Sequence, residues 1–176
     1  MIKGDTILMQ EATIKKIEQR KIVKIRDNKK DFLDLLLLAD EQEDMIDKYL
    51  DRGELFALYD DDLKSICVVT DGGGGIFEIQ NLATYPQYQK KGYGRYLVGY
   101  VCDCYAAEYE GAVMLVGTGD VPSALSFYEN CGFTFSHRIE NYFLDFYNEP
   151  MYEDGILLKD KVYLTRSLAL KQGKST

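Results

Sequence analysis

The stretch from residue 78 to residue 95, EIQNLATYPQYQKKGYGR, contains the residues whose types and spacing best suit binding chemistry. Gly92 and Gly94 remove side chains at the expected start of a helix, where backbone N–H groups can approach a ligand closely. The first N–H groups of a helix lack partners within it, and the helix dipole adds a positive field. Lys90, Lys91 and Arg95 add three positive charges. In a chain of net charge −8 this cluster predicts an anionic ligand, and the alternative is a solvated basic turn.

Two common phosphate-binding motifs are excluded. Leu97 stands where the third glycine of a Rossmann fingerprint should be, and the GKS at 173–175 has Leu168 in place of the first glycine that a GxxxxGK[ST] Walker loop requires. The glycine run DGGGG at 71–75 leads into a predicted strand and not into a helix. We therefore interpret this run as a hairpin loop.

Two sequence motifs carry a resemblance to a known family. The segment QKKGYG at 89–94 resembles the Q/R-x-x-G-x-G/A pyrophosphate loop of the GCN5-related N-acetyltransferases (GNAT), and the preceding EIQNLATYPQY resembles the central strand of that family. Downstream, ALSFYENCGF at 124–133 resembles the second hallmark, A-x-x-x-Y-x-x-x-G-F. The two motifs occur in the family's order and at its spacing, and the resemblance extends from about residue 21 to residue 167.

The resemblance implies that acetyl-CoA is the co-substrate and binds in a V-shaped split between the two middle strands. The backbone of Leu82, Ala83 and Thr84 would pair with the pantetheine amides like an added strand. Asp120 stands where relatives often have an asparagine that contacts the cofactor, although an ionised carboxylate cannot donate as an amide does. The residues implied to hold the pyrophosphate are Gln89, Lys90, Lys91, Gly92, Tyr93, Gly94 and Arg95.

Acetyl transfer to an amine requires that the ammonium loses a proton, that the thioester oxygen meets N–H donors and that the leaving thiolate gains a proton. By resemblance, a backbone N–H of Leu82 or a neighbour serves the oxygen. Tyr128 matches the tyrosine that protonates the thiolate, and a phenol with a reference pKa of about 10 is protonated at neutral pH. The alternative is that Tyr128 only packs its helix on the core.

Glu78 matches the general base of the histone-acetylating branch of the family, because it lies eleven residues before Gln89. A carboxylate on a central strand is costly unless it is solvated or paired, which predicts a position in a cleft. The alternatives are a strand-end glutamate that faces solvent or pairs with a lysine, and a water molecule or another residue as the base.

The aromatic-rich segment NYFLDFYNEP at 141–150 is expected to border the acceptor pocket, with Asp145 or Glu149 meeting a cationic amine. The acceptor itself stays open among amino sugars, polyamines, antibiotics, amino acids and protein N-termini. A homodimer also stays open.

The surrounding pattern predicts the elements that position these residues. Apolar alternation and turn signals predict strands, and apolar residues at helical spacing predict helices. The fold class is α/β (α+β), with a mixed central sheet of about six to seven strands flanked by helices. We expect one N-acetyltransferase domain at 21–168, preceded by an extension at 1–20 and followed by a tail at 169–176. The predicted strands are 21–27, 54–59, 63–70, 76–84, 113–116, 134–143 and 161–167, and the predicted helices are 31–39, 41–52, 92–109 and 123–130.

Composition excludes several classes of protein. The 176 residues are 46% hydrophobic and 28% charged, which is ordinary for a globular domain. The net charge of −8 disfavours a nucleic-acid partner. No apolar run reaches the roughly 18 residues of a membrane span, and the first residues do not resemble a signal peptide. One histidine and four cysteines without paired spacing predict no metal site, and the free thiols predict the cytoplasm.

The sequence thus predicts an enzyme that transfers acetyl from acetyl-CoA directly to a primary amine of a small molecule or peptide. An alternative is a non-catalytic acyl-CoA-binding or regulatory module on the same fold. A second alternative, an acetyltransferase domain associated with nucleic acid, is disfavoured by the acidic balance.

Overall fold

The computed structural model describes residues 20–169 of the chain. Within that range the strands are β1 Lys21–Ile25, β2 Glu54–Asp60, β3 Asp62–Gly73, β4 Ile76–Thr84, β5 Val113–Gly119, β6 Thr134–Ile139, β7 Tyr152–Glu153, β8 Ile156–Leu157 and β9 Lys161–Ser167. The helices are α1 Leu33–Ala39, α2 Glu43–Leu50, α3 Tyr93–Glu108, α4 Pro122–Asn130 and α5 Tyr142–Phe146, with short 3-10 helices at Lys29–Phe32 and Pro86–Tyr88.

Seven strands form one mixed sheet in the order β1-β2-β3-β4-β5-β9-β6, and β7 and β8 form a small separate hairpin. The predicted fold class is confirmed. All neighbours in the large sheet are antiparallel except β4 and β5, which run parallel. This parallel pairing extends only from Ile76↔Val113 to Ile79↔Val116. Beyond it β4 continues beside β3 and β5 continues beside β9, so the two middle strands separate.

Helices cover both faces of the sheet. Helix α3 buries its apolar stripe on one face, where Leu97, Val98 and Val101 pack in the same cluster as Phe77 and Met114. Burial of each such aliphatic side chain contributes roughly 1.5–3 kcal/mol. On the opposite face, α1 and α2 bury their apolar residues against β2, β3 and the end of β4. The two layers leave the sheet accessible where the middle strands separate.

A β-bulge lies in the central strand. Ile79 pairs with Val69 and Asn81 pairs with Val68, so that Gln80 is an extra residue opposite no β3 residue in the strand register. The bulge reverses the side-chain alternation: Ile79 faces α3, whereas Asn81 Nδ2 donates to the Leu36 carbonyl of α1 at 2.9 Å on the other face. Bulges of this kind bend a strand and change its side-chain directions. Nothing in the sequence pattern predicted it.

The predicted strand at 134–143 is wrong in its second half. Strand β6 ends at Ile139, and Asn141 adopts a left-handed conformation with φ 56°. Asp160 Oδ1 accepts the Asn141 N–H at 2.9 Å, and this turn begins α5. The segment 144–160, for which no helix or strand was predicted, contains the end of α5 and the β7–β8 hairpin. Alternation could not separate helix from strand here because nearly every residue at 142–147 is apolar or aromatic.

The other elements lie close to their predicted bounds, although β5 continues to Gly119 instead of ending at residue 116. The run at 71–75 lies in the β3–β4 hairpin, as predicted: its first three residues end β3, and Gly74 and Gly75 form the turn. Apart from residues 20 and 169, the predicted extension at 1–20 and the tail at 169–176 lie outside the described residues. Between residues 20 and 169, no helix has the length and apolar character needed to span a membrane.

Candidate active site

A cavity of about 890 Å³ begins where β4 and β5 separate. Residues 80–84 of β4 and 116–119 of β5 form its two facing walls. The loop before α3 borders one end, and residues of α1, α2 and α5 border the other. The cavity therefore joins the glycine-rich loop to the aromatic segment that was expected near the acceptor.

The β4 wall is an open strand edge. Leu82 and Ala83 pair with β3 on one side, and no described strand pairs with them on the cavity side. Thr84 Oγ1 lies 2.9 Å from Ser65 Oγ, which also donates to the Ala83 carbonyl at 2.6 Å and thereby secures this end of the strand. An open edge can pair with an extended chain that contains amide groups. The predicted pantetheine contacts of Leu82, Ala83 and Thr84 are thus on the cavity wall.

The loop at 89–92 brings backbone N–H groups to the cavity. Lys90 has φ 58° and Gly92 has φ 84°, and Gly92 caps α3 without a side-chain hydrogen bond. The N–H groups of Tyr93, Gly94 and Arg95 are at the first turn of the helix, where no carbonyl one turn earlier is available. Left-handed residues beside a helix start form a concave set of donors that suits an anion.

Side-chain hydrogen bonds anchor this loop to the sheet. Gln89 Nε2 donates to the Thr84 carbonyl at 3.1 Å, and the Tyr88 hydroxyl donates to Asp62 Oδ2 at 2.7 Å. The Tyr93 hydroxyl donates to Asp60 Oδ2 at 2.7 Å. These contacts connect the loop to the ends of β2, β3 and β4.

All but one of the predicted loop residues line the cavity. The lining residues are Gln89, Lys90, Gly92, Tyr93, Gly94 and Arg95. The exception is Lys91, whose Nζ lies 5.6 Å from the centre of the Tyr88 ring and which is not part of the wall.

Tyr128 lies on α4 and lines the cavity. Its ring packs edge-on against Phe127 at 5.0 Å and Phe133 at 5.9 Å between centroids. Among residues 20–169 its hydroxyl has no hydrogen-bond partner. Burial raises the pKa of Tyr128, so the phenol keeps its proton at neutral pH. The group is therefore available as a proton donor.

Glu78 lies outside the cavity. It occupies the paired part of β4, opposite Leu115, before the strands separate. Its Oε1 accepts a hydrogen bond from the Tyr163 hydroxyl at 3.2 Å, and both burial and this bond raise the pKa of Tyr163. Glu78 is not among the residues that line the cavity. A direct contact between its carboxylate and an acceptor in the cavity has no support in this geometry.

Asp120 also lies away from the cavity wall. Its Oδ2 is 2.6 Å from Arg138 Nη1, which also contacts Asp160 Oδ2 at 2.7 Å. The carboxylate thus serves an ion-pair network between β5, β6 and β9. The contact between Asp120 and the cofactor remains a prediction that this arrangement does not support.

The acceptor end of the cavity contains residues that sequence reasoning missed. Tyr142, Phe143 and Tyr147 of the predicted aromatic segment line it, but the acidic residues of that segment do not. The acids that line the cavity are Asp40, Glu41 and Glu153. Asp40 follows α1 and accepts a hydrogen bond from the Tyr147 hydroxyl at 3.0 Å. Burial raises the pKa of Asp40. No sequence signal connects residue 40 with residue 147, which are 107 positions apart.

Lys161, at the start of β9, is the second missed residue on the cavity wall. Its Nζ lies 4.6 Å from the ring centre of Tyr142 and 5.0 Å from that of Tyr163. Its side chain crosses β5 at Gly117, where a Cβ would collide with Lys161 Cε. Burial lowers the pKa of Lys161 although the carboxylates of Glu78 and Asp40 act against this.

Comparisons with known proteins point in one direction. The family model described as an acetyltransferase (GNAT) domain matches residues 51–135. An uncharacterized N-acetyltransferase, YvbK of Bacillus subtilis (strain 168), is 37% identical over 134 residues, which are 74% of this chain and 85% of that protein. A Bacillus subtilis acetyltransferase in complex with CoA is 32% identical, with a TM-score of 0.77 over 85% of this chain and 99% of that one. A GNAT family acetyltransferase from Elizabethkingia anophelis with acetyl-CoA bound is 30% identical, with a TM-score of 0.79 and the same coverage.

Proposed function

The chain belongs to the GNAT acetyltransferase family and is an N-acetyltransferase, and from this premise we propose that it transfers acetyl directly from acetyl-CoA to a primary amine of a small molecule or peptide. One observation carries the proposal. A single cavity joins the open edge of β4, the N–H groups of the loop before α3, the Tyr128 hydroxyl and the acceptor end with Asp40. A thioester and an amine can therefore meet in one space.

The residues around the cavity suit acetyl-CoA. Gly92 leaves open space beside the helix start, since a Cβ there would meet no described atom within 4 Å. Residues 89, 90 and 92–95 would hold the pyrophosphate through backbone N–H groups and the charges of Lys90 and Arg95. Leu82, Ala83 and Thr84 would pair with the pantetheine amides. The two CoA-bound relatives support this assignment.

The chemistry divides among three groups of this chain. A backbone N–H of Leu82 or a neighbour would donate to the thioester oxygen as negative charge develops on it. Tyr128 would give its proton to the sulfur as the C–S bond breaks, and its raised pKa keeps that proton in place until then. Glu78 would draw the proton from the acceptor ammonium. Because Glu78 does not line the cavity, it must act through another group.

Thiol release tests the proposal. We would incubate the protein with acetyl-CoA and a panel of glucosamine, spermidine, lysine and a peptide with a free N-terminus, and follow free CoA thiol. The expected result is release that depends on one class of amine. A CoA-induced melting shift without thiol release from any member would contradict the proposal and favour a non-catalytic acyl-CoA-binding module.

A further inference from the structure

We propose that Lys161 is the group that takes the proton from the acceptor ammonium, at the point where β4 and β5 separate. The inference deepens the proposed function and rests on it. It identifies the group through which Glu78 can act from outside the cavity.

The position of Lys161 is set by Gly117. Gly117 is the residue after Val116, which forms the last β4–β5 pair with Ile79. The Lys161 side chain passes over Gly117, and a larger residue there would require the end of the lysine side chain to move. The amine is thereby delivered to the inner end of the split, on the cavity wall. Both the thioester and the acceptor must approach this point if they are to react.

The surroundings leave the Lys161 amine free to exchange a proton. Its Nζ lies over the faces of the Tyr142 and Tyr163 rings, at 4.6 and 5.0 Å from their centres. Across residues 20–169 it forms no ion pair and no hydrogen bond, and the carboxylates that act on it, Glu78 and Asp40, do so at longer range. The titratable groups that face the Lys161 amine are Glu78 on β4, Asp40 after α1, and the phenols of Tyr142 on α5 and Tyr163 on β9. Burial of the amine lowers the pKa of Lys161 although the two acids act in the opposite direction, and this makes the ammonium easier to deprotonate.

An acceptor ammonium in the same cavity strengthens this effect. Two positive amines that share a poorly solvated site disfavour each other, so one of them gives up its proton. A neutral Lys161 Nζ can take the first proton from the acceptor nitrogen. The freed lone pair then forms the C–N bond while the C–S bond breaks and Tyr128 protonates the sulfur. The second proton of the acceptor nitrogen restores Tyr128, and Lys161 releases its proton to solvent past Glu78, so that one proton leaves per turnover.

Four proteins test the role of Lys161: wild type, Lys161→Met, Lys161→Arg and the control Lys159→Met. Lys159 is exposed and does not line the cavity, so its variant should keep wild-type turnover. The rate is kcat/KM for the panel amine that wild type acetylates, measured from pH 6 to 10. CoA-induced melting shifts report folding and cofactor binding in each protein.

We expect Lys161→Met to lower turnover by about two to four orders of magnitude, as loss of a general base does. The acidic limb of the pH–rate profile of Lys161→Met should move toward the pKa of the acceptor amine. The CoA-induced melting shift of this variant should equal that of wild type. Lys161→Arg keeps the positive charge but cannot accept a proton at these pH values, so it should be as slow as Lys161→Met.

Wild-type turnover in Lys161→Arg would overturn the inference, because it would assign Lys161 a purely electrostatic role. An unchanged acidic limb in Lys161→Met would overturn it as well. If wild type itself released no thiol with any amine, the proposed function would fail instead, so the two failures are distinguishable.

Discussion

A methyl group at Gly92 should weaken CoA binding and strain the backbone, and the two effects can be measured separately. Gly92 has φ 84°, a region where a residue with a Cβ is less stable by roughly 1–2 kcal/mol. For a chain of this size about 1 kcal/mol corresponds to roughly 2–4 °C in Tm. Gly92→Ala should therefore melt about 2–8 °C below wild type without any ligand.

The effect on CoA follows from the position of the added Cβ. No described atom lies within 4 Å of it, and Gly92 lines the cavity, so the methyl group would occupy space on the ligand side of the loop. At 100 times its Kd, CoA should stabilise wild type by about 2.7 kcal/mol, or roughly 5–11 °C. A tenfold loss of affinity reduces that stabilisation to about 1.4 kcal/mol at the same CoA concentration. We expect at most half the wild-type shift.

Gly99→Ala is the matched control. Gly99 lies in the same helix, α3, with helical backbone angles, and a Cβ there also meets no described atom within 4 Å. The same chemical change should raise stability by about 0.5–1 kcal/mol, since glycine is unfavourable inside a helix, and should leave the CoA shift intact. Differential scanning fluorimetry with and without CoA measures all three proteins. Equal CoA shifts in Gly92→Ala and wild type would refute the assignment of this loop to the pyrophosphate.

Three further substitutions test other parts of the site. Tyr128→Phe should lower turnover by about 10²- to 10⁴-fold with an unchanged CoA melting shift, and unaltered turnover with chemistry rate-limiting would remove Tyr128 from the mechanism. Glu78→Gln should slow acetyl transfer by up to about 10²- to 10⁴-fold and move the acidic limb of the pH–rate profile. If both the rate and the acidic limb equal those of wild type, Glu78 has only a structural role. Asp40→Asn should raise Tm at pH 7, because burial raises the pKa of Asp40 and its charge in the folded state costs stability as pH rises. That gain should shrink as the pH falls below 4, where Asp40 is protonated even when unfolded, and a gain independent of pH would contradict the assignment.

Local features of the chain were predictable because their causes are local. Gly92 precedes α3 and Gly132 follows α4, both with positive φ, so two glycines mark the helix boundaries at which the motifs were recognised. The alternation of β4 and the apolar stripe of α3 likewise come from residues within one element. These features, with the two family motifs, were enough to predict the fold class and the part of the cavity wall formed by the end of β4 and the loop before α3.

Contacts between distant segments were not predictable. Asp40 and Lys161 both line the cavity although they are more than a hundred positions apart in the sequence, and neither belongs to a recognised motif. Glu78 was predicted from an offset along the chain, but the strand pairing decides whether its side chain reaches the cavity, and it does not. The spacing between two residues in the sequence gives their distance along a strand. Whether a side chain reaches the cavity depends instead on where the neighbouring strand separates from that strand.

The bulge at Gln80 has a consequence for how the protein opens. Below it β4 supplies Phe77 and Ile79 to the α3 layer, and above it the same strand supplies Ala83 to the α1–α2 layer. Asn81 adds hydrogen bonds that bind both acceptor-side helices to this strand. Because β4 packs against both the α3 layer and the α1–α2 layer, separation of β4 from the sheet would expose both layers to solvent at once. Amide hydrogens of α1 and α3 should therefore exchange with solvent through the same global opening, with no independent release of either layer.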